Sequence, residues 1–369
     1  MYSIANSYGT TVNDIAFINQ LEYPYLIVPG QALLINNGED YGYRPLVYVN
    51  GYAYPFIKEW VLRETLPYLS YLSVFSYGFS EEGELRCPEL TDEFMIEAAY
   101  EFGASTVLTL TPFDKQGVFN NNLIHLLLIN QKAMDNLIDE LITVMTDKGF
   151  RALDIDFEFI LAEDKERFVT FVEEATRRMN DAGYEVFVAL APKTSDAMKG
   201  LLYEGKDYEK LGLAANAVLL MTYEWGYKYG PPLAVAPLDK VRQVVEYALT
   251  KIPAEKINLG IPNYAYDWPL PYARGETEAR TIGNVEAVRI AIDNNAEILF
   301  DETAQTPYFN YVAKDKTKHV VWFEDVRSLN AKFNLVEEYS LRGMGYWTIM
   351  QWFRANWVLL EDRFRIIKQ

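Results

Sequence analysis

The sequence predicts an α/β fold: a (β/α)8 TIM barrel with a small α+β insertion between strands seven and eight, preceded by a small N-terminal module. Eight short apolar runs alternate with amphipathic helical stretches, which is the order of a parallel sheet joined by crossover helices. The first seven runs start about 25–45 residues apart, the length of one βα unit. The interval between the last two runs is about twice as long, which leaves room for the insertion.

The eight predicted strands are runs of apolar residues separated by joins rich in glycine and proline. They are LVYVNGY (46–52), YLSVFSYGF (71–79), STVLTLTPF (105–113), FRALDIDFEF (150–159), EVFVALAP (185–192), AVLLMTYEW (217–225), INLGIPNYAY (257–266) and GMGYWTIMQW (343–352). The stretches between them, such as NQKAMDNLIDELITVMTDKG and KERFVTFVEEATRRMNDAG, repeat apolar residues at helical spacing. In such a barrel the active site lies at the carboxyl ends of the strands.

The insertion is predicted at about residues 267–335, within a barrel domain that spans residues 45–369. Its first part, IGNVEAVRIAIDNN, has helical periodicity. The following EILFDETAQTPYFNYVAKDKTKHVVWFED alternates, which predicts two or three antiparallel strands with a charged turn at KDKTK. An elaborated seventh helix with a long loop is the alternative.

Residues 1–36 predict a separate module in the order helix, helix, turn, strand. SIANSYGTTVNDIAFIN gives the two helices, and VPGQALLI gives a Pro-Gly turn and a short apolar strand. The stretch resembles a LysM module, which implies binding to glycans that contain N-acetylglucosamine. The chain begins inside the first helix of that pattern, so we expect the two-stranded sheet of the module to be incomplete. An N-terminal helical cap on the barrel is the alternative, and the polar residues 37–44 are predicted to be a linker.

Composition and charge argue against several classes of function. The formal net charge is −18 and no basic stripe is present, which argues against a nucleic-acid partner. The single cysteine, Cys87, allows no intramolecular disulfide, and His125 and His319 lie in no zinc-site or catalytic-triad motif. No apolar run is long enough to cross a membrane, and residues 1–20 show no signal peptide. We expect no metal, no cofactor, no membrane partner and a monomer.

The fourth predicted strand carries an acid at every second position. In ALDIDFEFI (152–160), Asp154, Asp156 and Glu158 alternate with apolar residues, so the three carboxylates share one face of the strand. In a closed barrel that face points inward, and carboxylates this close raise the pKa of at least one of them. A raised pKa suits a general acid that works near neutral pH. A solvated edge strand is the alternative, although the fourth of eight barrel strands is not expected at an edge.

Three motifs in strand order resemble those of family 18 glycoside hydrolases. LDIDFE on strand four is similar to the end of the DxxDxDxE motif, whose last residue is the catalytic acid. MTYEW (221–225) on strand six is similar to the Met-x-Tyr-acid motif, and GYWTIMQW (345–352) places a tryptophan on strand eight. The module-then-barrel order, with MTYEWGYKYGPPLAVAP and LGIPNYAYDW, resembles cortex-lytic N-acetylglucosaminidases that act during spore germination.

The resemblance implies a substrate-assisted retaining mechanism, in which the 2-acetamido oxygen of the sugar attacks the anomeric carbon. It implies that Glu158 protonates the leaving oxygen and that Asp156 orients the acetamido group while exchanging a proton with Asp154. Tyr223 would bind the acetamido carbonyl. The predicted substrate-binding residues are Trp347, Met221, Glu224, Tyr264, Asp267 and Trp268.

The chain departs from the family motif before the acids and after the tyrosine. Arg151 and Ala152 stand where the family has its outermost Asp and the following Gly, and Glu224 stands where an Asp is usual. We expect Arg151 to alter the packing or the proton reserve of the site rather than to abolish activity.

The predicted function is hydrolysis of β-1,4 bonds next to N-acetylglucosamine in peptidoglycan, at the spore surface, the spore cortex or the cell wall. One alternative is a chitinase or endo-N-acetylglucosaminidase acting on chitin-like glycans or N-glycans. A second alternative is a non-catalytic glycan-binding coat protein on the same barrel. The presence of both Asp156 and Glu158 favours an enzyme.

Overall fold

The computed structural model describes residues 1–36 and 42–368, apart from the side chain of Ser76, so residues 37–41 of the predicted linker lie outside the described residues. The strands are β1 (Leu46–Ala53), β2 (Tyr71–Phe79), β3 (Leu85–Arg86), β4 (Ser105–Leu110), β5 (Ala152–Ile155), β6 (Glu185–Leu190), β7 (Ala217–Leu220), β8 (Ile257–Pro262), β9 (Ala265–Leu270), β10 (Arg280–Ile282), β11 (Leu299–Asp301), β12 (Thr306–Val312), β13 (Lys318–Trp322), β14 (Gly343–Trp347) and β15 (Arg365–Ile366).

The helices lie around the barrel, in the N-terminal module (the first two) and in the insertion (the tenth). They are α1 (Tyr2–Ser7), α2 (Val12–Ile18), α3 (Glu59–Thr65), α4 (Glu93–Glu101), α5 (Asn122–Leu128), α6 (Gln131–Lys148), α7 (Lys165–Asp181), α8 (Tyr208–Ala214), α9 (Leu238–Leu249), α10 (Asn284–Asp293), α11 (Val326–Glu338) and α12 (Arg354–Arg363). Single-turn 3₁₀ helices lie at Leu66–Tyr68, Ala162–Asp164 and Ala254–Lys256. No helix among the described residues is both long and apolar enough to cross a membrane.

The barrel is a closed parallel sheet, as predicted. Its strands follow the order β1-β14-β8-β7-β6-β5-β4-β2, and β1 pairs with β2 to close the ring. All eight predicted runs contain one of these strands, and the predicted fold class is confirmed. The carboxyl ends of all eight strands therefore surround one mouth.

Local sequence signals set the helix ends on the outside of the barrel. Before α6, the Asn130 side chain accepts a hydrogen bond from the backbone N–H of Ala133, and Gly149 ends the helix with a φ of 84°. Before α11, Asp325 and Ser328 form a reciprocal capping box. These caps fix where each helix joins the strand that follows it.

The barrel interior is packed in layers rather than open. The lower layer consists of Tyr71, Val107, Ala152, Phe187 and Ala217, all buried. The upper layer, toward the mouth, consists of Tyr52, Phe75 and Leu219. The outward faces of the strands pack against the helices in one large apolar core, which includes the face of β5 opposite the acids.

The insertion forms a five-stranded antiparallel sheet in the order β10-β9-β13-β12-β11, with α10 packed against it. β12 and β13 flank the charged turn at KDKTK, as predicted. The sheet starts at Ala265, directly after β8, and its last strand ends at Trp322. Helix α11 then packs on the barrel core through Leu329 and Phe333, so it serves as a barrel helix although the predicted insertion reached residue 335.

The N-terminal module has the two predicted helices, but the predicted strand after its Pro-Gly turn is wrong. Residues 31–36 form no strand in the part of the chain that the structure describes. The Asn19 side chain takes the place of a partner strand, because its Nδ2 donates to the carbonyl of Leu34 and its Oδ1 accepts from the N–H of Leu34, each at 2.8 Å. The amide group thus satisfies the backbone that a second strand would have paired.

The module is docked on the barrel and the insertion. The guanidinium of Arg354 lies 3.9 Å from the centre of the Phe17 ring, and the backbone N–H of Arg354 donates to Oε1 of Gln20 at 2.6 Å. On the insertion side, the N–H of Ile298 donates to the carbonyl of Pro29 at 3.0 Å. The module therefore makes directed contacts with both neighbouring parts of the chain.

Candidate active site

The acid motif begins inside β5 and continues past its end. β5 stops at Ile155, which lies opposite Val188 of β6, and residues 156–160 leave the sheet at the mouth of the barrel. Leu153, Ile155 and Phe157 are fully buried in the core under the helices. Because side chains alternate along a strand, Asp154 faces the interior, as the sequence predicted. Asp156 and Glu158 follow the end of β5, but the charges of Asp154 and Glu158 both act on Asp156, so the three acids lie together.

Asp154 is fully buried and is held by the first barrel strand. Its Oδ2 accepts a hydrogen bond of 2.8 Å from the hydroxyl of Tyr52, and its Oδ1 has no partner among the described residues. Burial raises the pKa of Asp154 to about 6, although the Tyr52 hydrogen bond opposes that shift. The carboxyl group can therefore gain or lose a proton near neutral pH.

Asp156 and Glu158 lie above Asp154, toward solvent. Burial raises the pKa of Asp156 well above its ordinary value, and the charges of Glu158 and Asp154 add to the rise. Burial also raises the pKa of Glu158, which is half-buried. A protonated carboxyl next to the open mouth is what a general acid requires.

Tyr223 and Tyr54 lie beside these acids. Burial, followed by the charge of Asp156, raises the pKa of Tyr223 well above its ordinary value. Burial, followed by the charges of Asp156 and Glu158, raises the pKa of Tyr54 to about 12. Both hydroxyls therefore keep their protons at neutral pH and can donate hydrogen bonds to a ligand.

Trp347, at the end of β14, lies at the centre of an aromatic cluster. Its ring centre lies 4.9 Å from that of Phe75, 5.8 Å from that of Tyr52 and 6.2 Å from that of Tyr54. Met221 packs in the same cluster. The Trp347 ring is half-exposed, so its free face offers an apolar surface to a sugar.

A cavity of about 280 Å³ opens beside Trp347. It is lined by Tyr54, Asn263, Tyr264, Tyr266, Thr281, Ile282, Trp347, Thr348, Met350 and Gln351. A second cavity of about 620 Å³ is also lined by Tyr54, together with residues that include Phe75, Arg86 and Phe113. Tyr54 lines both cavities, which together are called the cleft below.

Glu224 is joined to the insertion by two tyrosines. Its Oε1 accepts hydrogen bonds from the hydroxyls of Tyr264 and Tyr266, the second at 3.0 Å. Tyr264, which the sequence predicted as a substrate contact, also lines the smaller cavity. Tyr266 lines it too, but sequence reasoning missed it.

Two predicted substrate contacts, Asp267 and Trp268, are wrong. Trp268 is fully buried, and its Nε1 donates to the carbonyl of Gly230 at 2.9 Å. Asp267 points to the opposite face of β9 from Tyr266, because side chains alternate along a strand. Its carboxylate accepts hydrogen bonds from Tyr311 and pairs with His319, both at 2.8 Å, inside the insertion.

The expectation that Arg151 would alter the packing or the proton reserve of the site is also wrong. Arg151 is exposed at the start of β5, and its guanidinium lies 6.0 Å from the centre of the Tyr100 ring on the outside of the barrel. Ala152 faces inward in the lower layer, well below the acids. The departure at Arg151 and Ala152 therefore lies at the far end of the barrel from the mouth, whereas the departure at Glu224 lies at the mouth itself.

No sequence signal indicated a buried lysine near the acids. Lys206 follows β6 on a loop, is 1% exposed, and donates from Nζ to the carbonyl of Phe157, the residue before Glu158. No motif surrounds it, so only the folded chain brings it to the site. Tyr52 and Tyr54 were missed for a similar reason, because they lie on or directly after the distant first strand.

Comparisons with known proteins give two family matches and several relatives. The profile described as "Glycosyl hydrolases family 18" matches residues 120–351, and a LysM domain profile matches residues 1–36. The cortical fragment-lytic enzyme of Bacillus subtilis (strain 168) is 42% identical over 83% of this chain and 70% of its own length. The cortical fragment-lytic enzyme of Bacillus anthracis is 33% identical over 100% of this chain and 97% of its own length.

Solved structures share the same architecture. The crystal structure of the Bacillus cereus spore cortex-lytic enzyme SleL matches with a TM-score of 0.93 and 30% identity, covering 100% of this chain and 96% of that one. A chitinase from Chromobacterium violaceum, at 22% identity and a TM-score of 0.79, covers 86% of this chain and 98% of that one and shares the fold.

Proposed function

This chain belongs to family 18 of the glycosyl hydrolases, and from that membership we propose that it cleaves β-1,4 bonds next to N-acetylglucosamine in spore-cortex peptidoglycan. Relatives named cortical fragment-lytic enzymes support this substrate, since one of them aligns with the whole of this chain. The spore cortex or the cell wall is then where it works. The LysM match at residues 1–36 supports a glycan-binding role for the N-terminal module.

The observation that carries the proposal is the group of three inward acids at the mouth of the barrel. Asp154, Asp156 and Glu158 all have raised pKa values, chiefly because they are buried. Burial and mutual repulsion oppose full ionisation of such a group, so it is suited to retain a proton and deliver it to a leaving group. A glycan-binding protein without catalysis has no need for carboxyls that are this costly to ionise.

Glu158 is the proton donor in this proposal. It is the outermost of the three acids and half-exposed, so it can reach the glycosidic oxygen of a chain lying in the cleft. It then takes a proton from the water that completes hydrolysis. No carboxylate nucleophile is required, because in this family the acetamido oxygen of the substrate attacks the anomeric carbon.

Asp156 and Asp154 hold the acetamido group in this mechanism. Asp156 accepts the acetamido N–H and, as the substrate gains positive charge, shares a proton with Asp154 below it. The Tyr52 hydroxyl stabilises the ionised form of Asp154 at 2.8 Å. Tyr223 donates to the acetamido oxygen and aims it at the anomeric carbon, and Trp347 supports the sugar ring.

Product analysis tests both the activity and the substrate. Purified protein is incubated with cortical fragments and, in parallel, with chitin oligomers, and the products are identified by mass spectrometry. We expect new reducing ends at N-acetylglucosamine from the cortical fragments and much slower release from chitin. Faster cleavage of chitin would assign the chain to chitin-like substrates, and no cleavage of either would support a binding protein.

A further inference from the structure

Lys206 is a buried cation beneath the acid motif. The residue is 1% exposed, and its Nζ donates to two backbone carbonyls, those of Phe157 and Ala189, the second at 3.2 Å. Phe157 directly precedes Glu158, and Ala189 lies near the end of β6. The ammonium group therefore joins the segment that carries the acid to the neighbouring strand.

The two hydrogen bonds of Lys206 lie where the backbone pairing of β5 with β6 ends. The pairing of β5 with β6 ends at Ile155 and Val188. The N–H of Asp156 still donates to the carbonyl of Leu110 on β4 at 2.9 Å, and Phe157 and Glu158 follow beyond that bond. A carbonyl at such a position needs another donor when it is buried. The ammonium of Lys206 supplies it and ties the two diverging chains together.

The loop that carries Lys206 is in close backbone contact with the segment that follows β5. A Cβ atom on Gly205 would lie 2.4 Å from the carbonyl oxygen of Ile160, so only glycine allows the two backbones to come this close. From the other side, Nζ of Lys193 donates to the carbonyl of Lys206 at 2.9 Å. Lys193 is itself 4% exposed, so one buried lysine holds the backbone of the other.

We propose that Lys206 is a positioning residue for the reaction: it fixes the peptide that carries Glu158 and places a compensating positive charge under the three acids. This inference rests on the proposed function, because it assigns a role within that catalytic group.

The electrostatics of the site agree with the proposal. Lys206 lowers the pKa of Asp154, of Asp156 and of Glu158, against the effect of burial. Burial lowers the pKa of Lys206 to about 8, while the charges of the three acids oppose that shift. The lysine therefore carries its charge at neutral pH, although it lies in the barrel core.

Few other charged groups lie near this ammonium. Among the described residues, Lys193 contacts its backbone, and the neighbouring Asp207 pairs with Lys165 of α7 at 3.6 Å. Helix α7 also places an apolar side chain beside the ammonium, since the Phe168 ring centre lies 5.1 Å from Nζ. Removing the charge of Lys206 should therefore act mainly on the acid motif.

Lys206→Met tests the role, with Lys210→Met as the matched control. Lys210 is exposed and pairs with Glu166 on the surface. The kcat/KM for release of reducing ends from soluble cortical fragments is measured against pH for the wild type and both variants. For Lys206→Met we expect both limbs of the profile to move to higher pH by about one unit, because each acid loses a nearby positive charge. We also expect kcat to fall at least about tenfold, whereas Lys210→Met follows the wild type.

Lys206→Gln separates the effect of the hydrogen bond to the backbone from the effect of the positive charge. It also replaces Lys206→Met if that variant does not fold. Its amide can still donate to a carbonyl, so we expect a smaller loss of kcat but the same displacement of the pH profile. A profile that superposes on the wild type in a folded variant, with only a lower melting temperature, would show that the lysine merely fills space and would overturn the proposal.

A direct titration distinguishes failure of this inference from failure of the proposed function. If the wild type releases no reducing ends, the proposed function fails. The carboxyl carbons of ¹³C-labelled Asp and Glu are then titrated by NMR in the wild type and in Lys206→Met. Higher pKa values for the buried acids in the variant support the role of Lys206, and unchanged values reject it.

Discussion

The hydroxyl of Tyr52 lies 2.8 Å from Oδ2 of Asp154, and this hydrogen bond joins β1 to β5 across the interior of the barrel. The phenol donates to the innermost acid of the motif, whose second oxygen has no partner in the part of the chain that the structure describes. The contact lowers the pKa of Asp154, while burial raises it to about 6. Tyr52 therefore helps to set the pH at which Asp154 gains or loses its proton.

Tyr52→Phe should move the acid limb of the pH profile upward. Removing the hydroxyl leaves the ionised form of Asp154 without its donor, so the pKa of Asp154 rises from its value of about 6. A hydrogen bond to a charged group is worth about 1.5–3 kcal/mol, which corresponds to at least about one pH unit. The measurement is kcat/KM on cortical fragments against pH.

Tyr71→Phe is the control for this change. The Tyr71 hydroxyl also donates to a carboxylate, that of Glu185 at 2.7 Å, but at the opposite end of the barrel. We expect its profile to match that of the wild type. If both variants move the acid limb equally, the shift reflects general loosening of the barrel and not the contact with Asp154.

Glu158→Gln should remove nearly all hydrolysis while the fold and glycan binding remain. Glutamine has the same shape but cannot deliver a proton, and general acid catalysis contributes about 10²–10⁴-fold to the rate. Turnover is measured on cortical fragments, and binding by equilibrium titration with the same fragments.

Glu163→Gln provides a matched control, since it makes the same chemical change a short distance further along the same loop. The Glu163 side chain is exposed, in the 3₁₀ turn Ala162–Asp164 that precedes α7. We expect this variant to keep most of the wild-type turnover. Wild-type turnover in Glu158→Gln would exclude Glu158 as the proton donor.

A thiazoline analogue of N-acetylglucosamine should inhibit competitively. The analogue imitates the ring formed when the acetamido oxygen attacks the anomeric carbon, and the group of Asp156 and Tyr223 is proposed to stabilise that ring. Inhibition constants are compared with that of N-acetylglucosamine, which lacks the second ring and should bind more weakly. Absence of inhibition at about millimolar thiazoline would argue against substrate assistance.

The sequence predicted the barrel and the acid motif because both depend on short-range periodicity. Alternation along LDIDFE places the carboxylates on one face whatever the rest of the chain does. The contacts that tune these acids come from elsewhere: Tyr52 lies 102 residues before Asp154, and Lys206 lies on a loop without a motif. Such partners are chosen by the folded topology, so no local pattern could indicate them.

The errors at Asp267 and Trp268 have a different cause. Both residues follow β8 closely, so they were expected at the open mouth. The chain instead continues directly into the insertion sheet, where alternation turns Asp267 away from the cleft and packing covers Trp268. Proximity to the end of a barrel strand indicates exposure only when a loop follows, and here a strand follows.

Asp267→Asn should therefore lower stability without changing substrate affinity. The carboxylate is 3% exposed and bound to Tyr311 and His319, so its loss disturbs a buried network at a cost of about 1–3 kcal/mol. Thermal unfolding should start at lower temperature, and KM for cortical fragments should stay the same. Asp293→Asn, at the exposed end of α10, is the control and should change neither. A higher KM for Asp267→Asn would instead indicate that Asp267 contacts the substrate.

Gly30→Ala should loosen the N-terminal module from the insertion. A Cβ atom at residue 30 would lie 1.8 Å from the carbonyl oxygen of Ile298, so the two backbones would have to separate. Gly9→Ala is the matched control, because Gly9 has a similar φ of 66° against 77° but no described atom within 4 Å of an added Cβ. The two substitutions share the backbone strain, and only the first adds the clash, which should cost about 1–3 kcal/mol more in free energy of unfolding.

Hydrogen exchange at the N–H of Ile298, which donates to Pro29, provides a second measurement, and it should rise in Gly30→Ala alone. Equal exchange in both variants would mean that the module is held by its Arg354 contacts and not by this close approach.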